Sequence, residues 1–162
     1  MKDMTFREMR RKNKALSEAD CLRLLESAKR GVLSVIGDGG YPYGAPVNHY
    51  YNEEDGCLYF HGGLAGHRVD AVRANDKASF CVVDDGVPDE GGWALTFCSV
   101  IVFGRVEIVE DRETVYRLSA ALSRKFTSDE DYIRHEIEKS GPATLMLRLI
   151  PEHMTGKRVR EE

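Results

Sequence analysis

Hydrophobic residues recur along the chain with two different periods, and glycine-rich turns separate the segments. Ser17 precedes Asp20 by three residues, a weak capping box, and apolar residues then recur at helical spacing until Gly31. Runs of β-branched residues follow, separated by short turns such as 37–40. In chain order, the pattern first predicts a helix over 17–30 and strands over 32–36, 41–51 and 57–61. A short helix follows, with Ala65, Val69 and Val72 buried, and then a strand over 77–84 and a long strand over 93–110 with a bulge at Gly104. The chain ends with predicted helices over 111–125 and 128–140 and a strand over 143–150.

This order of elements predicts a mainly β fold with helices. Neighbouring short strands joined by tight turns are typical of an antiparallel sheet that closes into a small barrel. Pro42 and Pro46 confine the second strand to an edge or to a bulged stretch, since proline donates no backbone hydrogen bond. The chain lacks the alternation of strands and helices of a doubly wound fold. Its HGGLAG segment does not fit the dinucleotide fingerprint GxGxxG.

Composition narrows the function classes further. The 162 residues carry a net charge of −4, with a pI of about 5.8, which argues against general nucleic-acid binding. No window approaches the roughly 20 apolar residues that span a bilayer, and the first residues lack a secretory signal. We therefore expect a cytoplasmic protein without membrane contact. Residues 1–15 hold six basic and two acidic residues, so they form a predicted basic arm ahead of a single domain over 16–162.

Sequence patterns for nucleophilic or metal chemistry are weak. The four cysteines, at positions 21, 57, 81 and 98, form no CxxC pair, and apolar neighbours flank them, so we expect buried, reduced thiols. A serine hydrolase motif is absent. His61 and His67 are six residues apart across a glycine-rich bend, which matches no helical metal motif, so no metal site is expected.

Two stretches carry the candidate chemistry. In the first, residues 61–68, a strand ends in His61, glycines follow, and a helix begins near His67 and Arg68. Glycine backbone, a helix N-terminus and a guanidinium suit a phosphate, although a loop with surface basic residues is an equal alternative. In the second, residues 45–51, the prolines leave backbone groups free to bond the edge of a heteroaromatic ring. A plain edge strand with a bulge is the simpler interpretation of this second stretch.

Four segments in order resemble one known family. APVNHYY, LYFHGGLAGHRVDAVRAN, TFCSVIVFGRVEIV and HMTGKR are similar to segments of the pyridoxamine 5′-phosphate oxidase-related flavoproteins, in particular the nitroimidazole-resistance branch. The resemblance runs from about residue 10 to Lys157. It implies an FMN-binding split β-barrel, Greek-key-like and antiparallel, that forms a homodimer with FMN at the subunit interface.

The resemblance also implies a set of site residues. Val47, Asn48, His49 and Tyr50 would line the isoalloxazine ring, largely through the backbone. His61 and Gly62 would contact the ribityl chain, with His61 also the matching functional histidine. Gly66, His67 and Arg68 would hold the phosphate. Ser99, Val100 and Val102 would lie beside the ring, and the MTGK segment, ending at Lys157, would lie near the site.

Pyridoxamine phosphate oxidases also carry an arginine-to-lysine phosphate motif that has no match here, which argues against vitamin B6 oxidation. The expected function is an FMN-dependent reductase of small electron-poor compounds such as nitro-aromatics. Imidazoles titrate near neutral pH, so His61 and His49 are the candidate proton donors. The alternatives are a non-catalytic module that binds or senses flavin, the deazaflavin F420 or haem, and an interaction protein with a vestigial pocket.

Overall fold

The computed structural model describes residues 5–161 and shows one antiparallel sheet curled into a half-barrel, with helices packed around it. The first four residues of the predicted basic arm and the last residue lie outside this range. The strands are β1 (Arg30–Ile36), β2 (Pro42–Asn48), β3 (Tyr50–Asn52), β4 (Cys57–Gly63), β5 (Lys77–Val83), β6 (Val87–Pro88), β7 (Leu95–Val109) and β8 (Thr144–Arg160). The helices are α1 (Glu18–Ser27), α2 (His67–Ala74), α3 (Arg112–Ser123) and α4 (Glu130–Ser140).

The strand order across the sheet is β2-β1-β5-β7-β8-β4-β3, with β6 added on β7, and every pairing is antiparallel. The sheet curls until β2 contacts β4, so the first and the penultimate strands of this order approach each other. This is a split β-barrel, and it confirms the predicted fold class. None of the helices in the described range is long and apolar enough to span a membrane.

Alternation along the central strands separates a core face from an outer face. Leu33, Phe80, Val82, Val100 and Val102 point inward and are buried, and they form the centre of the hydrophobic core. Since successive side chains of a strand point to opposite faces, their neighbours point outward. The outward set includes Val32, Cys81, Val83, Ile101 and Phe103, all exposed. We call these five residues the outer face.

The helix predicted over 17–30 is shorter in the structure. Its N-cap is confirmed, because the Ser17 hydroxyl accepts a hydrogen bond from the Asp20 amide at 3.1 Å. The helix ends at Ser27, since Ala28 is extended and Arg30 already pairs with Asn48 of β2. The prediction was wrong by three residues because strand pairing overrides helical propensity there.

The last strand is much longer than the predicted 143–150. Pro151 interrupts the apolar alternation, but the structure places an extra residue, Glu152, between the pairs Gly104–Pro151 and Phe103–His153. This bulge lets β8 continue to Arg160 and confirms the irregularity predicted at Gly104. A Cβ at Gly104 would lie only 2.1 Å from the Ile150 carbonyl oxygen, so this crossing needs glycine.

Two predictions of burial were wrong. Cys21 and Cys57 are buried as expected, but Cys81 is exposed on the outer face and Cys98 is half-buried. Successive side chains of a strand point to opposite faces, so a cysteine between two buried apolar residues can itself be exposed. Ala65 is exposed before α2 begins; Ala71 joins Val69 and Val72 in the buried stripe instead.

The described part of the basic arm packs along β8. Phe6 stacks on the His153 ring at a centroid distance of 4.9 Å, and the Leu16 amide donates to the Gly156 carbonyl at 2.9 Å. Ala15 forms a β-bridge with Lys157. These contacts place the arm beside the strand that carries the MTGK segment.

Candidate functional site

The closure of the half-barrel creates a cavity where the end of β2 faces β4 and the start of α2. Its volume is about 340 Å³. The residues that line it are Arg30, Pro46, Val47, Asn48, His61 and Arg68. We call this space the sheet cavity. Four residues from the two candidate stretches, Val47, Asn48, His61 and Arg68, therefore meet in one place although up to 21 positions separate them in the chain.

Strand register brings Arg30 into the sheet cavity. Arg30 pairs with Asn48 at the end of the β1–β2 ladder, on an edge strand that carries two prolines. Pro46 has no N–H to donate, and the outer edge of β2 pairs with no further strand in the described sheet. This edge therefore presents backbone groups next to a guanidinium.

The sheet cavity is cationic. The Nε atom of Arg68 is buried and has no hydrogen-bond partner among the residues that the structure describes. Arg30 and Arg68 form no ion pair there, and the cavity lining contains no carboxylate. Elsewhere on the sheet, Arg105 and Arg148 each pair with a carboxylate. An unpaired buried polar group costs about 1–3 kcal/mol, so this cavity is suited to an anion that would relieve that cost.

Two glycines allow this arrangement. A Cβ at Gly62 would lie 3.9 Å from Nη1 of Arg68, so the guanidinium lies against the glycine bend that follows His61. Gly66 adopts a φ of +138°, which favours glycine, and its carbonyl accepts the first helical hydrogen bond, from Asp70, at 3.1 Å. Gly66 therefore turns the chain into α2 and sets the position of Arg68.

His67 is next to Arg68 in sequence but faces a different part of the molecule. Its Nε2 accepts a hydrogen bond from the Asp38 amide at 3.1 Å, and its ring packs on Tyr43 at 4.2 Å. His67 is not part of the cavity lining. The structure thus shows it holding the turn between β1 and β2, while its predicted contact with a phosphate stays a prediction.

His49 lies in the core instead of the cavity. The side chain is fully buried, its Nε2 bonds the Leu25 carbonyl at 2.7 Å, and its ring meets Phe80 edge-on. Burial, followed by the nearby Lys125 ammonium, lowers the pKa of His49 to about 4. The ring therefore contacts the interior of the protein, and proton donation from His49 to a ligand stays a prediction.

The remaining predicted residues are not among those that line the sheet cavity. Ser99 pairs with Val83 on one side and with Lys157 on the other, at the same end of the strands as Arg30. Val100 and Val102 have no exposed surface, and Tyr50 is half-buried on β3 beside the second core cluster. Their contacts with a flavin ring stay predictions.

His61 is common to the linings of two cavities. It lines the sheet cavity, and it also lines a second space of about 310 Å³ beneath α3 and α4. The residue is exposed overall, but neighbouring atoms displace water from the imidazole, and this desolvation lowers the pKa of His61 below the ordinary value. At neutral pH the ring is therefore uncharged, with one nitrogen that donates and one that accepts.

Sequence reasoning missed three features of this region: Arg30, Lys125 and the second cavity. Arg30 could have been found only by aligning β1 with β2. Lys125 donates to the carbonyls of Ala28 and His49, at 2.6 and 2.7 Å, and so ties the segments that flank Arg30 and Asn48 to the end of α3. Burial lowers the pKa of Lys125 to about 8. No motif marks this lysine in the sequence.

Comparison with known proteins agrees with this architecture. A family model described as pyridoxamine 5′-phosphate oxidase matches residues 17–158. The chain belongs to this family. The match confirms the resemblance found in the sequence, and it spans every strand and helix from α1 into β8. No curated protein matches the chain significantly.

Several solved structures share the fold. A conserved hypothetical protein of Mycobacterium tuberculosis superposes with a TM-score of 0.79 at 19% identity, covering 93% of this chain and 90% of that one. A candidate 5-nitroimidazole antibiotic resistance protein from Bacteroides thetaiotaomicron gives 0.72 at 19% identity, covering 91% and 90%. A FAD and heme binding protein from Mycobacterium smegmatis gives 0.70 at 22% identity, covering 89% and 72%. At these identities the likeness establishes the split-barrel fold.

Proposed function

We propose that this chain binds FMN in the sheet cavity and uses it to reduce small electron-poor compounds such as nitro-aromatics. The observation that carries the proposal is the buried, unpartnered Nε of Arg68, beside Arg30, in a cavity lined by no carboxylate. The family match and the flavin-binding proteins of the same fold support a flavin as the anionic ligand.

The charge of the cavity favours a flavin with a terminal phosphate. A phosphate monoester carries nearly two negative charges, and a guanidinium can grip two of its oxygens. Arg68 and Arg30 supply two such groups to one small cavity. Riboflavin has the same ring without the phosphate, so the two guanidinium groups would distinguish the ligands.

The surroundings of the sheet cavity suit a flavin ring. The free edge of β2 offers backbone groups to the polar rim of the ring, and the outer face offers exposed apolar side chains. When bound, FMN supplies the capacity for hydride transfer. The chain would orient the ring through Asn48 and β2, and hold the phosphate at Arg68.

His61 is placed to handle a proton. It lines the sheet cavity, and its neutral imidazole can donate from one ring nitrogen and accept at the other. We assign it the role of hydrogen-bonding a polar group of the substrate. A His61→Ala variant with unchanged turnover would exclude this role.

We also propose that the chain forms a homodimer through the outer face. Val83 is 57% exposed, and Ile101 and Phe103 are about 40% exposed on adjoining strands, so a continuous apolar surface remains uncovered. A two-fold interface would cover it. Light scattering should give about twice 18.2 kDa. Ile101→Lys should give monomers, whereas Val87→Lys, on the short β6, should not; a monomeric parent protein would contradict the proposal.

The visible spectrum of the purified protein is the first test of the cofactor. The two-band absorption of an oxidised flavin, retained on gel filtration or restored by added FMN, is the expected result. A Soret band would assign haem instead. A colourless protein that takes up neither FMN nor F420 would favour an interaction protein with a vestigial pocket. With flavin bound, anaerobic bleaching by a reductant and recovery on adding a nitro-aromatic would demonstrate the reductase activity.

A further inference from the structure

The second cavity shares His61 with the sheet cavity, and most of its other lining residues come from the helical segment between β7 and β8. Ser119 and Ser123 of α3 line it, together with Tyr132, Glu136 and Ile137 of α4. Thr144, at the start of β8, pairs with Gly63 of β4, two residues from His61. We call this space, about 310 Å³ in volume, the helix cavity.

One hydroxyl in the helix cavity lacks a partner. The Ser123 hydroxyl donates to the Ser119 carbonyl at 2.8 Å, and the Thr144 hydroxyl donates to the Ser140 carbonyl at 2.8 Å. Ser119 is 8% exposed, and its Oγ is buried with no hydrogen-bond partner in the described range. Buried hydroxyls are normally paired, so an unpaired hydroxyl on a residue that lines a cavity is a candidate partner for a ligand atom.

The charge of the helix cavity selects the ligand. Glu136 is its one charged lining residue, and the lining contains no lysine or arginine. Arg112, at the start of α3, donates to the carbonyls of Gly141 and Thr144 and so holds the wall together. The Arg112 guanidinium is engaged by these two carbonyls and does not line the cavity, so the Glu136 carboxylate is the charge that the lining presents; it would attract an ammonium group and repel an anion.

The apolar part of the lining fits a ring. Tyr132 and Ile137, five residues apart on α4, give the lining an aromatic and an aliphatic side chain, and the His61 imidazole adds a second ring. Aromatic rings pack favourably against such surfaces. Small-molecule sites commonly combine apolar walls with a few polar groups.

We propose that the helix cavity is a binding site for a small monocyclic aromatic molecule, neutral or cationic, held between Tyr132 and His61. Ser119 is its polar anchor, and Glu136 attracts a positively charged group. Binding at this site does not require the proposed flavin. That the bound molecule is also a substrate, across His61 from the cofactor, does rest on the proposed function.

The test uses three probes with the same 4-hydroxyphenyl ring and two-carbon tail, titrated into the full chain by calorimetry. Tyramine ends in an ammonium group, 4-ethylphenol is uncharged, and 3-(4-hydroxyphenyl)propanoate ends in a carboxylate. We expect tyramine to bind at least fivefold more tightly than 4-ethylphenol, and the propanoate to bind most weakly. Absence of saturable binding by all three, or a propanoate affinity equal to that of tyramine, would overturn the proposal.

Two variants locate the binding. Glu136→Gln should bring the tyramine affinity to within twofold of the 4-ethylphenol affinity, whereas Glu138→Gln, exposed on the same helix, should change nothing. Ser119→Ala should weaken the binding of tyramine and of 4-ethylphenol at least threefold. It should not lower the melting temperature, because Oγ makes no hydrogen bond within the described protein. Unchanged binding in both Glu136→Gln and Ser119→Ala would place the probes elsewhere and refute the assignment.

The outcome is separable from that of the flavin proposal. A chain that binds tyramine through Glu136 but takes up no FMN would refute the proposed function and leave this site intact. A chain that binds FMN but none of the probes would refute this site alone.

Discussion

The sheet cavity and the helix cavity share His61 but differ in almost every other respect. The first is formed by paired strands and carries two arginines without a carboxylate; the second is formed by two helices and carries a glutamate without a cation. Each contains one buried polar atom that lacks a partner in residues 5–161, the Arg68 Nε and the Ser119 Oγ. Two cavities that share one imidazole but differ in the charge of their linings would select different ligands, an anion in the first and a neutral or cationic molecule in the second.

Arg68→Glu should greatly weaken FMN binding in the sheet cavity and leave tyramine binding in the helix cavity unchanged. The change removes a charge-assisted bond worth about 1.5–3 kcal/mol and places a negative charge beside the phosphate. We expect a loss above about 3 kcal/mol, more than a hundredfold in FMN affinity, with riboflavin affected far less. Arg73→Glu on the same helix is the control. Equal, small losses for FMN and riboflavin on titration would show that the phosphate binds elsewhere.

Acid should destabilise the fold next to the sheet cavity by protonating His49, the residue directly after Asn48. Its folded-state pKa of about 4 lies below the ordinary value of 6.5, so the unfolded chain binds the proton more tightly. Stability from this group is complete above pH 6.5 and is lost as the pH falls toward 4, by up to about 3 kcal/mol. Urea unfolding at several pH values measures this loss. His49→Gln should flatten the pH dependence, and His135→Gln, on the surface of α4, should leave it unchanged; the same slope in both variants would contradict the assignment.

Lys125→Met should affect the sheet cavity indirectly. The ammonium bonds the carbonyls of Ala28 and His49, which flank Arg30 and Asn48, and its loss leaves both carbonyls unpaired. We expect about 2 kcal/mol less stability and a several-fold loss of FMN affinity. Chemical denaturation and FMN titration provide the measurements, with Lys139→Met at the exposed end of α4 as the control. Unchanged FMN affinity would restrict Lys125 to a structural role.

His61→Ala should have the smallest effect on binding among these variants. It is also the most direct test of whether His61 contributes to both cavities. The side chain contributes contact surface to both cavities, so FMN and tyramine should each lose less than about 1 kcal/mol, or fivefold, of affinity. Parallel titrations compare the two ligands. If only one ligand weakens, His61 belongs to one cavity and the two sites are independent.

Much of the secondary structure could be predicted because local rules decided it. The Ser17 cap and the turn at 37–40, whose Gly39 and Gly40 take positive φ, follow from the preferences of neighbouring residues. The helix end at Ser27 and the continuation of β8 past Pro151 could not be predicted in this way. Both depend on pairing with strands distant in the sequence.

The order of elements could be predicted from the sequence, except that the predicted strand over 41–51 is two strands, β2 and β3, at opposite ends of the sheet, and that β6 was not predicted. The family resemblance and the two stretches that meet at the sheet cavity could also be found in the sequence. Those features depend on periodicity, turn residues and ordered motifs, which are local. Tertiary structure alone decided that His49 faces the core, that His67 holds a turn, and that Arg30 joins Arg68. It also decided that Ser119 and Glu136 share a cavity with His61. The physical reason is that strand register and helix packing set which side chains face one another, and a change of one residue in register reverses the face that a side chain occupies.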